Sequence, residues 1–281
     1  MSIFKGQQIV SNHGTKQGII PRFWLQTMEL AESTFGKENG NKIISKFFPQ
    51  NLGDFTNFYD IFQEINLDYT DFINGLQNGQ YFSITDKGEF NLDNSVELKM
   101  EKKIKDFFIL GRLLINNFAK SQILESDNFD LNKYMIVKDS NFTKNRNEYL
   151  ANDASKKFIP LIHLIEDARN NFLTDFNQIR ADIEHINFQV PKFQINTEDG
   201  SFIEPSINGN QKLIQNLSFF YENLLEMMEK IIALFFAIVA ISKNPNLGLF
   251  IQTNFDYSKT ISKYVILPRI MNTMQNLKLI M

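Results

Sequence analysis

Apolar residues recur at steps of three and four along three long segments, and this spacing constrains the fold more than any other feature of the chain. The clearest series is Ile165, Ala168, Phe172, Phe176, Ile179, Ile183 and Ile186. Such steps place one apolar face on an α-helix, and that face must be buried. The other two segments run from Asn94 or Ser95 to about Leu124, and from Gln211 to Ser242. We therefore predict an all-α fold, an up-and-down helical bundle closed by shorter helices.

Shorter helices are predicted before the long ones. Pro21 suits the first turn of a helix that ends near Gly36. Two further helical pieces are predicted over Asn41–Phe48 and Asp54–Ile65, because Pro49 cannot donate a hydrogen bond within a helix. Residues 1–19 carry three glycines among polar residues, which indicates an irregular segment or a strand-like arm.

Other segments lack the helical period. Tyr81–Asn91 alternates around Asp86-Lys87-Gly88, which predicts a small β-hairpin near residues 80–91. Residues 125–155 are polar and little periodic, and are predicted to be the least ordered internal region or an insertion. Phe188–Asn208 is predicted to be a loop or loose hairpin, and the tail after Pro245 a short strand followed by a helix. Little other sheet is expected.

The polar region suggests a boundary between two parts of the chain. We expect a mostly helical N-terminal region over 1–150, which includes the hairpin, and a helical bundle region over 151–281. The two regions can also pack as one domain.

Composition excludes several classes of protein. The 281 residues include no cysteine, which rules out zinc ribbons, iron–sulfur clusters and thiol nucleophiles. The formal charge of −3 provides no global positive field, so any contact with RNA must be local. The longest apolar run, Ile231 to Ile241, is well short of the ~20 residues of a membrane-spanning helix, and the N-terminus lacks a signal peptide pattern. We expect a cytoplasmic protein with no membrane partner.

Three histidines are the main candidates for proton transfer. His13 lies in a polar segment and is expected to be a surface residue. His163 and Glu166 stand three positions apart, but a carboxylate-bridged metal site needs a second such pair on another helix. A surface contact between the two is therefore expected, and no metal. Walker and Rossmann glycine patterns are also absent from the sequence, so no cofactor is expected.

His185 differs from the other two because Arg180 stands five positions before it near the end of a long helix. The stretch Asn177–Pro191, NQIRADIEHINFQVP, resembles the Arg-x(4–6)-His motif of the HEPN superfamily. These all-helical domains occur in toxin–antitoxin, abortive-infection and CRISPR-associated antiviral defence systems. The resemblance implies a homodimeric, metal-independent endoribonuclease whose Arg and His meet their counterparts across the dimer. RNA and an antitoxin or defence-system partner are the implied ligands.

The residue types suit this chemistry. Cleavage of RNA by its own 2′-hydroxyl needs a proton-transfer group that titrates near neutrality and a cation that stabilises charge on phosphorus. His185 is then the general base or acid, Arg180 binds the phosphate, and Asp182 or Glu184 orients the histidine. Five helical positions correspond to about 140° of rotation. Arg180 and His185 therefore converge only if the helix loosens or if two subunits contribute.

Two alternatives are compatible with the same residues. Arg180 and Glu184 can form an ion pair on a solvated helix face, with His185 near carbonyls at the helix end. Many active members of the superfamily have a small polar residue directly after the arginine, whereas this chain has Ala181. The chain can then be a non-catalytic helical interaction protein, or one that binds RNA or a nucleotide without cleaving it.

Overall fold

The computed structural model describes residues 19–84, 90–92, 95–121, 124–126, 129–151, 153–185, 188–195, 202–206, 212–252, 263–273 and 277–281. Most of these residues are helical, which confirms the predicted all-α class in broad terms. The helices are α1 (Ile19–Phe35), α2 (Lys37–Gln77), α3 (Ser95–Ala119), α4 (Asn132–Met135), α5 (Asp139–Ala151), α6 (Ile159–Ala168), α7 (Thr174–Glu184) and α8 (Leu213–Lys243). Within the described ranges, none of the helices has the length and apolar content needed to cross a bilayer.

Short antiparallel strands connect the helices. They are β1 (Phe82–Ile84), β2 (Phe90–Leu92), β3 (Glu125–Ser126), β4 (Phe129–Asp130), β5 (Gln194–Ile195), β6 (Phe202–Ile203), β7 (Leu247–Gln252), β8 (Tyr264–Pro268) and β9 (Leu277–Leu279). The predicted hairpin is confirmed by the β1–β2 pair, in which Phe82 lies opposite Leu92. Its predicted turn, Asp86-Lys87-Gly88, lies outside the described residues.

The tail after Pro245 forms more β-sheet than was predicted from the sequence. β7 pairs with both β8 and β9 in a three-stranded sheet, and of the described residues after β7 only the 3₁₀ turn Arg269–Thr273 is helical. The predicted final helix is therefore wrong. The physical reason is visible in β8, where Tyr264 and Ile266 are buried and their neighbours less so, the two-residue period of a strand.

Helix α2 runs without interruption through Pro49, so the prediction of two separate helical pieces is wrong. Its buried side chains follow one stripe at steps of three and four, namely Ile44, Phe47, Asn51, Phe55, Phe58, Phe62, Ile65, Tyr69, Phe72 and Leu76. Burial of this stripe outweighs the hydrogen bond that proline cannot make. Buried Asn51 also donates to the Phe47 carbonyl at 3.0 Å one turn earlier.

The polar region 125–155 is more ordered than predicted. It contains β3, β4, α4 and α5, and it buries the aromatic residues Phe129, Tyr134, Phe142 and Tyr149. In α5 only Phe142 and Tyr149 are buried, two turns apart, which is too sparse to produce a recognisable apolar period.

The chain divides into two compact units, 1–56 with 113–173 and 224–281, and 57–112 with 174–223. The division predicted at residue 150 stays a prediction. In the first unit the ring of Phe23 lies 4.8 Å from that of Phe55, and Phe129 stacks on Phe158 at 4.6 Å. Buried Arg169 donates there to the carbonyls of Tyr134 at 3.2 Å and Val137 at 2.8 Å.

The second unit has its own aromatic core. Phe62 stacks on Tyr221 with ring centroids 4.2 Å apart, and Phe58 stacks on Phe107 at 4.7 Å. Phe108 packs against Phe176 of α7 at 5.1 Å. The contact between Phe108 and Phe176 packs α7, the helix that carries the candidate site, against α3.

Candidate functional site

Helix α7 is anchored in the second unit by its apolar side. Phe176 and Ile179 are buried, whereas Gln178 and Glu184 are exposed. α3 approaches closely at Gly111, because a Cβ atom at that position would lie only 2.6 Å from Cζ of Phe176. The glycine therefore lets α3 pack directly against α7 and positions the polar side of α7.

Arg180 lies on the polar side of α7 and forms an ion pair with Glu184 one turn later. The ion pair between Arg180 and Glu184, which was predicted as the alternative to a catalytic role, is therefore present. The Arg180 side chain is 28% exposed, so its guanidinium is partly accessible. Its Nε is buried and has no hydrogen-bond partner among the described residues.

His185 directly follows the last residue of α7 and is exposed. Its backbone N–H still donates to the Ala181 carbonyl at 3.0 Å, a bond with the four-residue spacing of an α-helix. The helical arrangement therefore continues to His185. Phe188 is the first described residue after the pair 186–187, and its N–H donates to the Asp182 carbonyl at 3.1 Å.

Because the helical spacing is retained, Arg180 and His185 leave the helix about 140° apart. Ala181 lies between them on the helix surface, about 100° from Arg180. The helix does not loosen before His185, so the first of the two conditions for convergence of Arg180 and His185 is not met. Glu184 also lies in this interval, about 40° from Arg180, and forms an ion pair with the arginine. The Ala181 methyl group and the Glu184 side chain therefore both lie between Arg180 and His185 on the helix surface.

The two acidic candidates have different partners. Glu184 contacts Arg180, not His185. Asp182 accepts a hydrogen bond from Nε2 of Gln178 at 2.9 Å, and it precedes His185 by three positions, a spacing that places both on one side of the helix. The structure therefore associates Glu184 with the arginine and leaves Asp182 on the histidine's side.

A second arginine lies beside the site, and it was not among the residues predicted from the sequence. Nη1 of Arg112 on α3 donates to Oδ1 of Asn177 at 2.8 Å. Asn177 precedes Arg180 by three positions, so both face the same side of α7. The contact joins residues 65 positions apart, and no sequence spacing signals such a pair.

The other candidate histidines lie elsewhere. His13 falls outside the described residues. His163 is exposed, and Glu166 forms an ion pair with Nε of Arg146 at 3.4 Å in place of the expected contact with His163. Within the described part of the chain, no group of three or more acidic or histidine side chains could hold a metal ion.

A separate polar cluster in the second unit links α2 to the segment after β6. Tyr69 donates its hydroxyl to Glu204, and Nζ of Lys212 lies 2.7 Å from the same carboxylate. Burial raises the pKa of Glu204, but the hydrogen bonds from Lys212 and Tyr69 outweigh burial and hold the pKa below its usual value. The ion pair between Glu204 and Lys212, with the hydrogen bond from Tyr69, therefore stabilises the contact between α2 and the segment after β6.

Comparison of the chain with protein-family models, with curated proteins and with solved structures finds no match.

Proposed function

We propose that this chain is a HEPN-like, metal-independent endoribonuclease of a bacterial defence or toxin system and acts as a homodimer of up-and-down helical bundles. The observation that carries the proposal is the placement of Arg180 and His185. Both are accessible at the end of α7, and the hydrogen bond from His185 N–H to Ala181 keeps them about 140° apart.

This separation supports a site shared by two subunits. Two side chains that leave a helix in such different directions do not converge on one phosphate within their own subunit. In a two-fold dimer, Arg180 of one protomer can instead meet His185 of its partner. Each dimer then contains two equivalent sites, one for each arginine.

The reaction follows from the chemistry of the two side chains. His185 accepts the proton of the RNA 2′-hydroxyl, and the 2′-oxygen attacks phosphorus. The bond from phosphorus to the 5′-oxygen breaks, and that oxygen takes a proton from water. The resulting hydroxide takes the proton held by His185, which returns the imidazole to its neutral form. The products are a 2′,3′-cyclic phosphate and a 5′-hydroxyl. Arg180 bonds the phosphate oxygens while negative charge develops on them.

The acidic residues position these groups. Asp182 lies on the side of α7 that carries His185, where a carboxylate can orient an imidazole and stabilise its protonated form. Glu184 holds the Arg180 guanidinium before RNA binds. Because a carboxylate also repels phosphate, Arg180 must exchange Glu184 for the substrate.

One observation favours the second function, binding of RNA or a nucleotide without cleavage. Arg180 already has an anionic partner, and Ala181 provides no polar group between the arginine and the histidine. A site with these properties can retain phosphate binding and lack the proton transfer. Cleavage and binding therefore need separate measurement.

The test is cleavage of total RNA in EDTA by the wild type and by the variants R180A, H185A and H163A. His163 is the matched control because it is also an exposed helical histidine. We expect cleavage by the wild type and H163A, and loss of at least about a hundredfold in R180A and H185A. Wild-type protein that binds RNA without cleaving it would support the binding function. Cleavage that persists in both variants would contradict the proposed site.

A further inference from the structure

We infer that Arg112 is a second phosphate-binding residue of this site, held in position by Asn177. The inference rests on the proposed RNA-cleaving function and adds a residue from a different helix to it. Arg112 would contact the phosphate next to the one that is cleaved, and so contribute to RNA binding more than to the chemical step.

The geometry comes from one contact between α3 and α7. Nη1 of Arg112 lies 2.8 Å from Oδ1 of Asn177, and both side chains are partly exposed. Asn177 and Arg180 occupy successive turns of the same face of α7. Arg112 therefore reaches the face of α7 from which the Arg180 side chain projects, one helical turn before it.

Close packing of α3 against α7 restricts the position of the Arg112 backbone. Gly111, the residue before Arg112, has no room for a Cβ atom beside Phe176 and Phe58. The backbone of α3 is consequently fixed against α7 at the point where Arg112 leaves it. A long side chain on a fixed backbone, with an amide to orient it, loses less entropy when it binds a ligand.

The chemistry favours a polyanion as the ligand. A guanidinium has five N–H donors in a planar fork that matches phosphate oxygens. The whole chain has a formal charge of −3, so attraction of RNA depends on local clusters of cations such as this one. Two arginines that flank one surface can bind successive phosphates of a single strand.

The experiment measures binding of a 2′-O-methylated RNA oligonucleotide, which cannot be cleaved, by fluorescence anisotropy over a range of salt concentrations. The variants are R112Q, N177D and the control R146Q, whose arginine is paired with Glu166 on the other unit. N177D keeps the shape of the asparagine and strengthens its bond to Arg112, so it reduces the available charge without breaking the contact between α3 and α7. Urea unfolding of each variant reports its folding.

We expect R112Q and N177D to bind about fivefold more weakly than the wild type. The slope of log affinity against log salt should decrease by about 0.7, the value for one lost phosphate contact on a single strand. R146Q should match the wild type. If folded N177D and R112Q retain the wild-type affinity and slope while wild-type protein cleaves RNA, Arg112 is not part of the site and the proposed function stands. If the wild type neither binds nor cleaves RNA, both proposals are overturned.

Discussion

Arg180 and Glu184 form an ion pair on the last turn of α7, and the arginine lies on the same face as Asn177, which Arg112 bonds from α3. The described residues thus place Arg112, Arg180 and the Glu184 carboxylate at this face of α7 in the second unit. The carboxylate reduces the attraction of this surface for phosphate. Its removal provides a direct test of whether the surface binds RNA.

Glu184→Gln should strengthen binding of RNA, because it removes the anion that competes with phosphate for Arg180. We expect binding tighter by about threefold to fivefold at low salt, with a difference that decreases as salt increases. The free energy of unfolding should fall by less than about 0.5 kcal/mol, since exposed pairs four positions apart contribute little. Anisotropy titration and urea unfolding measure the two quantities.

Glu166→Gln is the matched control, because it also removes an anion from a partly exposed ion pair with an arginine. It should leave RNA binding unchanged. Equal affinities of E184Q, E166Q and the wild type would show that Arg180 does not contact RNA.

Gly111→Ala should destabilise the protein. The added Cβ atom would lie 2.6 Å from the ring of Phe176 and 2.8 Å from that of Phe58, so these buried rings, or the helices that carry them, must shift. We expect a loss of about 1–3 kcal/mol, which is typical of overpacked sites. Urea unfolding measures this loss, and weaker RNA binding should accompany it because Arg112 moves with α3.

Gly53→Ala on α2 is the control for this change. A Cβ atom there meets nothing within 4 Å, and alanine is the better helix former by about 0.5–1 kcal/mol. G53A should therefore be slightly stabilised. Equal stability of G111A and G53A would contradict the close packing of α3 against α7.

The sequence was informative where one apolar period extended over many residues. The helices that carry Phe107 and Phe176 were predicted from that period. The hairpin whose strands pair Phe82 with Leu92 was predicted from a different signal, two-residue alternation around a tight turn. The period could not show that α2 continues through Pro49, because tertiary burial decides that outcome.

The same distinction applies to the candidate site. Arg180 and Glu184 are four positions apart, so their ion pair could be predicted from helical spacing alone. The bond from Arg112 to Asn177 depends on how two helices pack, which no local pattern encodes. The π-helical turn Arg169–Leu173 before α7 was not predicted either, since the apolar steps of four that cross it also fit an α-helix.

Stability should decrease at acid pH through Glu204. Its pKa in the folded protein is below the usual value, so the pair with Lys212 stabilises the fold at pH above the unfolded pKa of about 4.3. That contribution is lost as the pH falls through the folded pKa. Glu204→Gln should therefore be less stable than the wild type at pH 7, and the difference should shrink as the pH falls below the unfolded pKa and disappear below the folded pKa.

Urea unfolding between pH 3 and pH 7 measures this dependence. Glu38→Gln, which alters an exposed pair with Lys42 on α2, is the control and should follow the wild-type curve. A constant difference between E204Q and the wild type across this range would show that Glu204 has no altered pKa.

A site made from Arg180 of one subunit and His185 of the other is tested most directly by mixed dimers, in which one subunit is R180A and the other is H185A. The two variants are co-expressed with different tags and purified through both tags, and RNA cleavage is measured in EDTA. Each mixed dimer has one site with both residues intact, so we expect about half of the wild-type rate per dimer, while each variant alone is inactive. Mixed dimers as inactive as the separate variants, beside an active wild type, would contradict the shared site.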